Sequence, residues 1–181
     1  QEQPPARITT ATISEAQAAP SAALVGIVDF DRISSLATET SGLIVKQHVD
    51  EGQEVAQGDL LLELNTDLLE KDRAIKQRGL EQIQAELRKL SAQRKRYEKL
   101  IKQDSASRQA YEEALYDQQA LFAQLAAIKL ELERIDLRLE KSKLRAPFAG
   151  IVLERLKNEG DWLAPGDPAL RLASTEHVVV K

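Results

Sequence analysis

Between about Asn65 and Lys143 the apolar positions recur at alternating steps of three and four residues, the spacing that lays one stripe along an α-helix. In the first part of this stretch Leu80, Leu87 and Ile101 sit seven or fourteen apart. Leu69, Ile83, Leu90 and Tyr97 supply the interleaved series, and the seam runs through Arg94. In the second part the series is Tyr111, Ala114, Leu121, Leu125, Ile128, Leu132, Ile135 and Leu139, with Gln118 filling one slot. A sustained seven-residue repeat imposes a left-handed supercoil, so the pattern predicts two coiled-coil arms. Nothing in the stretch forbids helix: it holds no Pro, its one Gly is Gly79, and strong helix formers dominate. Gly79 is expected to mark a slight bend in the first arm. Lys102 to Ser107 breaks the repeat with turn and cap residues. The prediction is an antiparallel hairpin with arms of roughly 35 residues, about 50 Å each at 1.5 Å per residue. A hairpin that long cannot fold back on a small core and must project from one.

Outside the hairpin the pattern changes to short apolar runs between turn residues. Gly42-Leu43-Ile44-Val45 and His48-Val49 read as strand, Glu51-Gly52 and Gln57-Gly58-Asp59 as turns, and Leu60 to Leu64 as a buried strand. The same order returns after the hairpin, from Phe148-Ala149-Gly150-Ile151-Val152 through Glu159-Gly160 and Pro165-Gly166-Asp167 to Ala169-Leu170-Arg171-Leu172. At one constant offset Gly42 matches Gly150, Glu51 matches Glu159, Gly52 matches Gly160 and Val55 matches Leu163. Gly58 likewise matches Gly166, Asp59 Asp167, Leu62 Leu170 and Leu64 Leu172. Three glycines, two acids and three apolar positions in register make an internal repeat of one small β-unit. Each copy is too short to bury a core alone, so the two are expected to pack into one flattened β-sandwich around the inserted hairpin.

Towards the N-terminus, Gln1 to Ala6 is a polar, Pro-rich lead-in. Ile8 to Ile13, Ala23 to Phe30 and Arg32 to Thr38 are strand candidates, and Glu15 to Ser21 is a small-residue linker. Their one visible partner is Val178 to Val180, a β-branched run at the other end, so they suggest an incomplete second β-domain. The absence of any Met, even at position 1, and the uncapped Val run suggest a piece of a longer chain.

Composition narrows the possible chemistry. Aromatic residues are 4% of the chain against 43% hydrophobic, so the core is aliphatic. A net charge of −4 with interspersed signs argues against nucleic acid as a partner. No apolar run approaches the roughly 20 residues of a membrane span. With no Cys there are neither disulfides nor thiolate metal sites. His48 and His177 lie in different β-segments without an acid cluster at ligand spacing, which gives no metal site. No nucleophile with its base, phosphate loop or paired-acid site emerges, so an enzyme is not expected.

The two Gly-turn-Gly-Asp halves resemble the biotinyl/lipoyl domain. A lipoyl-type domain split by a long helical hairpin resembles the periplasmic adaptor, or HlyD-like membrane fusion protein, family of tripartite efflux pumps. The phrase Leu144-Arg145-Ala146-Pro147-Phe148-Ala149-Gly150 is similar to that family's return into the second half. The expected fold is α+β: a split lipoyl-type sandwich with an inserted hairpin and part of a β-barrel domain. The expected boundaries are 1–35 for N-terminal strands of the barrel, 36–64 and 144–174 for the two lipoyl-like halves, 65–143 for the hairpin, and 175–181 for the return to the barrel.

The resemblance implies an adaptor that links an inner-membrane transporter, of the resistance-nodulation-division type, to a TolC-type outer-membrane channel. It implies a periplasmic location, a membrane anchor outside this sequence, and self-association into a ring, expected as a hexamer. Adaptors that dock onto such channels carry Arg, then Leu four on, then Ser seven further, and Arg96, Leu100 and Ser107 have that spacing. Taken on their own, Arg96 and Leu100 lie one helical turn apart and one position off the seam, which leaves Leu100 partly exposed at the end of a polar rod. The plainer readings are a core leucine at Leu100, a helix N-cap at Ser107 and a solvated charge run at Arg94-Lys95-Arg96. Leu130, Leu137 and Leu144 form a second apolar series off the seam, suited to packing against a neighbour. Tyr97, Tyr111 and Tyr116 are expected near the seam, and Trp162 in core or interdomain packing. The alternatives are the adaptor of a type I protein secretion or ABC-type export system and, less well fitted, a lipoyl or biotin carrier. A carrier needs a Lys at the turn that the hairpin replaces, so no cofactor is expected.

Overall fold

The computed structural model describes residues 28–30, 32–103, 107–175 and 178–180. The strand expected at Ile8 to Ile13 and the linker after it lie outside these residues, as does the centre of the hairpin turn. The elements run β1 (Val28–Phe30), β2 (Ile33–Ala37), β3 (Gly42–Gln47), β4 (Glu54–Val55) and β5 (Leu60–Leu64), then α1 (Asp67–Ile101) and α2 (Arg108–Lys141). They continue as β6 (Lys143–Arg145), β7 (Gly150–Arg155), β8 (Trp162–Leu163), β9 (Pro168–Ser174) and β10 (Val178–Val180). The class is α+β.

Two four-stranded sheets form the sandwich, in the orders β2-β9-β7-β4 and β6-β5-β3-β8. Each sheet takes two strands from before the hairpin and two from after it. The repeat therefore does not fold as two halves laid together but as two halves exchanged. The short strand β4 pairs with β7, and its counterpart β8 pairs with β3. The turns are exchanged too. Gly52 N–H donates to Val152 O at 2.7 Å and Gly160 N–H to Ile44 O at 2.9 Å. The Glu51 carboxylate accepts from Arg155 N–H and that of Glu159 from Gln47 N–H, both at 2.8 Å. The repeated acids are thus staples between halves, which explains why they recur in the sequence. Gly52 and Gly160 sit at φ of 81° and 89°, and Gly58 and Gly166 at 89° and 88°, the left-handed region that a Cβ disfavours. Asp59 and Asp167 close their own turns by accepting from Ala56 and Ala164 N–H.

The core follows the same pairing. Ile44 and Val152, Val55 and Leu163, Leu62 and Leu170, and Leu64 and Leu172 are all buried between the sheets. Each such side chain is worth roughly 1.5–3 kcal/mol on burial. The strand β2 straddles the boundary expected at residue 36, yet it pairs with β9 from Ile33 onwards and so lies in the sandwich. Beyond the sandwich, β1 pairs with β10 in a separate two-stranded ladder, Val28 opposite Val180.

The hairpin leaves the sandwich where β5 and β6 pair antiparallel. An ordinary hairpin turn would join these strands, and the two helices stand in its place. Leu64 N–H donates to Ser142 O, and Lys141 pairs with Glu39 at 2.7 Å, which raises the Lys141 pKa. The helices are 35 and 34 residues long. Asp67 and Glu70 in the first turn of α1 and Arg138 and Lys141 in the last turn of α2 complement the helix dipoles. Two seam slots near the base hold cations, and these reach across the hairpin: Arg73 pairs with Asp136 and Lys76 with Glu131. Nearer the tip, Gln118 is buried and donates to Ser91 Oγ at 2.6 Å. A Cβ on Gly79 would come within 2.8 Å of Ile128 Cδ1, so this glycine makes room for a close side chain.

Candidate functional site

The free end of the hairpin is built from the last two turns of α1 and the first turn of α2. Arg94, Tyr97 and Ile101 face α2 and are half-buried. The Arg94 Nε is enclosed without a hydrogen-bond partner, because its slot lies in the apolar seam. Arg96 and Leu100 point off that seam: Arg96 is exposed and Leu100 half-buried. Their four-residue spacing stacks them on one helix face. The helix ends at Ile101 with Lys102 as its C-cap, and Gln103 N–H donates back to Leu100 O at 3.1 Å.

Ser107 opens α2. Its φ and ψ of −70° and 135° are those of an N-cap, and its Oγ accepts from Gln109 N–H at 3.2 Å. The capping role is therefore real in this chain, and Ser107 remains exposed while filling it. Lys95, Lys99, Lys102 and Arg108 are exposed around the same end, against Glu98 and Glu112, each of which is held by its own i,i+4 partner. Among the described residues, the tip is thus a basic rim with one partly exposed leucine. It can offer a carboxylate or carbonyl a guanidinium, and an apolar knob a place to rest.

Other sequence expectations fall differently. Trp162 is 64% exposed on the edge strand β8, opposite Leu43, and is not a core residue. Tyr97 and Tyr111 lie on the seam, but Tyr116 points away from it and is 66% exposed. Leu130 and Leu137 are exposed off the seam, whereas Leu144 is in β6 and packs against the sandwich core, so it leaves that series. No group of His, Cys, Asp or Glu able to hold a metal occurs among the described residues. None of the described helices is long and apolar enough to cross a membrane. The cross-strand staples at Glu51 and Glu159 were signalled only by their recurrence in the repeat. The Gln118–Ser91 bond was signalled by a polar residue in an apolar slot.

No protein-family model matches the chain. In sequence it is similar to the multidrug efflux pump subunit AcrA of Escherichia coli K12, 26% identical over 147 residues that cover 81% of this chain and 37% of that protein. It is also similar to the multidrug resistance protein MdtA of Xenorhabdus bovienii, 28% identical over 165 residues, covering 91% and 39%. In structure it is similar to a MacA–MexA chimeric protein carrying the α-hairpin domain of Pseudomonas aeruginosa MexA. That likeness has a TM-score of 0.53 at 25% identity and covers 86% of this chain and 52% of the chimera. The chain spans under two-fifths of the length of these two curated relatives.

Proposed function

We propose, for a chain that belongs to the periplasmic adaptor or membrane fusion protein family, that its hairpin tip docks an outer-membrane channel of the TolC type in a tripartite efflux pump. Members of this family are structural subunits and not enzymes. The inner-membrane partner in this reading is a transporter of the resistance-nodulation-division type, and the complete protein is periplasmic and anchored to the inner membrane. The multidrug efflux relatives support the choice of an efflux assembly over protein secretion.

One observation carries the docking role. The exchanged sandwich fixes both roots of the hairpin, and the rod holds Arg96, partly exposed Leu100 and Ser107 at its far end. Arg96 supplies a bidentate donor, Leu100 the apolar contact, and Ser107 a hydroxyl beside the turn. The test is capture of the channel by the full-length protein after Leu100→Asp. A loss of capture of tenfold or more, with helicity unchanged, is expected. Unchanged capture moves the docking site elsewhere.

A further inference from the structure

Beside the root of the hairpin lies a groove of about 540 Å³, within the size range of small-molecule sites. One wall belongs to the sheet β6-β5-β3-β8. There Leu43 on β3 stands opposite Trp162 on edge strand β8, and they are 40% and 64% exposed. The other wall is the base of the hairpin. Leu68, in the first turn of α1, is 80% exposed, and Arg138 comes from the last turn of α2. Single apolar residues scattered over a surface are ordinary. An indole and two leucines from three different elements that line one concavity are a patch, and an exposed patch marks a place of binding.

Two charged side chains line the groove, and one of them is neutralised. Glu39 is held by Lys141 at 2.7 Å. Arg138 is exposed, and its guanidinium has no hydrogen-bond or ion-pair partner among the described residues. The other polar groups nearby are engaged locally. The Asn65 amide donates to the Asp67 carboxylate at 3.1 Å, and the Thr40 hydroxyl to the Lys141 carbonyl at 3.3 Å. A guanidinium stays protonated in proteins, so the groove sets one uncompensated positive charge beside three apolar surfaces.

We propose that this groove binds an amphipathic organic anion, its acidic head on the Arg138 guanidinium and its apolar body against Trp162, Leu43 and Leu68. The planar fork of a guanidinium takes a carboxylate or phosphate in two parallel hydrogen bonds. An indole offers a large apolar face to an alkyl chain or a ring. A cation of the same shape meets Arg138 as a like charge, and a neutral molecule leaves that group unused. The occupant is a single dispersed molecule and not a lipid within a bilayer. Recognition of a membrane surface draws on clusters of about four to eight basic residues, and this groove has one such free group. The site lies at the opposite end of the rod from Arg96, Leu100 and Ser107, so it neither rests on the docking role nor competes with it.

Trp162 is the one tryptophan of these 181 residues and reports on the groove directly. In the full-length protein its emission is isolated by subtracting that of Trp162→Phe. The probes are decanoate below its micellar concentration, decyltrimethylammonium of the same chain length, and phosphatidylglycerol vesicles. Decanoate is expected to shift the Trp162 emission to the blue and to bind at least fivefold more tightly than the cation. Arg138→Gln is expected to remove that preference, and Leu68→Asp to weaken decanoate at least fivefold, both with helicity unchanged. Equal binding of the two amphiphiles, decanoate binding insensitive to Arg138→Gln, no spectral shift, or a response to vesicles alone would overturn the proposal. Channel capture by Arg138→Gln is expected to match that of the parent, and a loss of capture there would overturn the separation of the two sites.

Discussion

The sandwich and the hairpin are held together in opposite ways. In the sandwich, leucine, isoleucine and valine from both halves are enclosed on all sides, seven of them essentially without solvent contact. Within the helices themselves only Leu87 on α1 and Ala114, Gln118, Leu132 and Ile135 on α2 are buried among the described residues. A pair of helices has one seam, so each seam residue is covered from one side and the rest of its surface meets water. The sandwich gains cooperativity from exchange of strands between halves. The hairpin gains length at the expense of burial, and makes up part of the difference with ion pairs across its base. A rod joined to a well-buried root is able to flex, splay or be altered at its tip without unfolding the root.

The largest expected effect is on the root. A Cβ at Gly150 would come within 2.0 Å of the Ala173 carbonyl oxygen on the adjacent strand β9, where the backbone cannot retreat without breaking the pairing. Gly150→Ala is expected to cost about 3 kcal/mol or more, near the upper end for single substitutions. At the matching position, Gly42, the nearest atom is the Leu64 Cβ at 3.2 Å. Gly42→Ala is expected to cost about 1 kcal/mol, within the common range. Chemical denaturation of the two variants checks the difference, and equal losses would mean that the halves are packed alike.

Next come core truncations. Leu170→Ala in the sandwich is expected to cost about 4 kcal/mol, in the upper half of the range for buried leucine, and Leu87→Ala in the hairpin about 2 kcal/mol, at its lower end. Far-ultraviolet circular dichroism during urea unfolding reports both. A larger loss at Leu87 would reverse the ranking of the two regions.

At the tip, Ser107→Ala is expected to cost the hairpin about 1 kcal/mol through loss of the N-cap, while Ser107→Asp keeps it. If Ser107→Asp preserves helix stability but weakens channel capture, the hydroxyl acts beyond capping. Helix melting and capture, measured on the same samples, separate the two roles.

The smallest expected effect is electrostatic. Hydrogen bonding and charge from Lys76 hold the Glu131 carboxyl below its ordinary range. A depressed carboxylate contributes stability above its unfolded pKa, and that contribution fades as pH falls through the folded value. Both side chains are well exposed, so solvent screening keeps the effect small. Acid titration of hairpin helicity is expected to be slightly flatter in Lys76→Met than in the parent. An identical titration would show that the pair contributes nothing measurable.

Much of this contrast is legible in the sequence, because helical periodicity and turn glycines are local signals. The helices fall inside the stretch expected from 65 to 143, and the matched Gly-Glu and Gly-Asp positions prove to be matched turns. Partner choice among strands is not local, so the sequence did not reveal that β4 crosses to β7 and β8 to β3, or that β2 joins β9. Trp162 shows the limit of residue type as a guide to burial. Of the two expectations for it, core or interdomain packing, the first fails: edge strand β8 turns it outwards, while Leu163 beside it is fully buried. Leu144 errs the other way: seven residues after Leu137, it reads as more of the same helical series, but the helix has already ended.

Two distant β-halves form one cooperative unit from which a less protected rod projects. Native-state hydrogen exchange on the intact protein tests it most directly. Amides of β5 and β9, from opposite sides of the hairpin in sequence, are expected to open with one shared free energy, and those of α1 and α2 with a smaller one. Separate opening energies for β5 and β9, or helices protected as strongly as the strands, would contradict it.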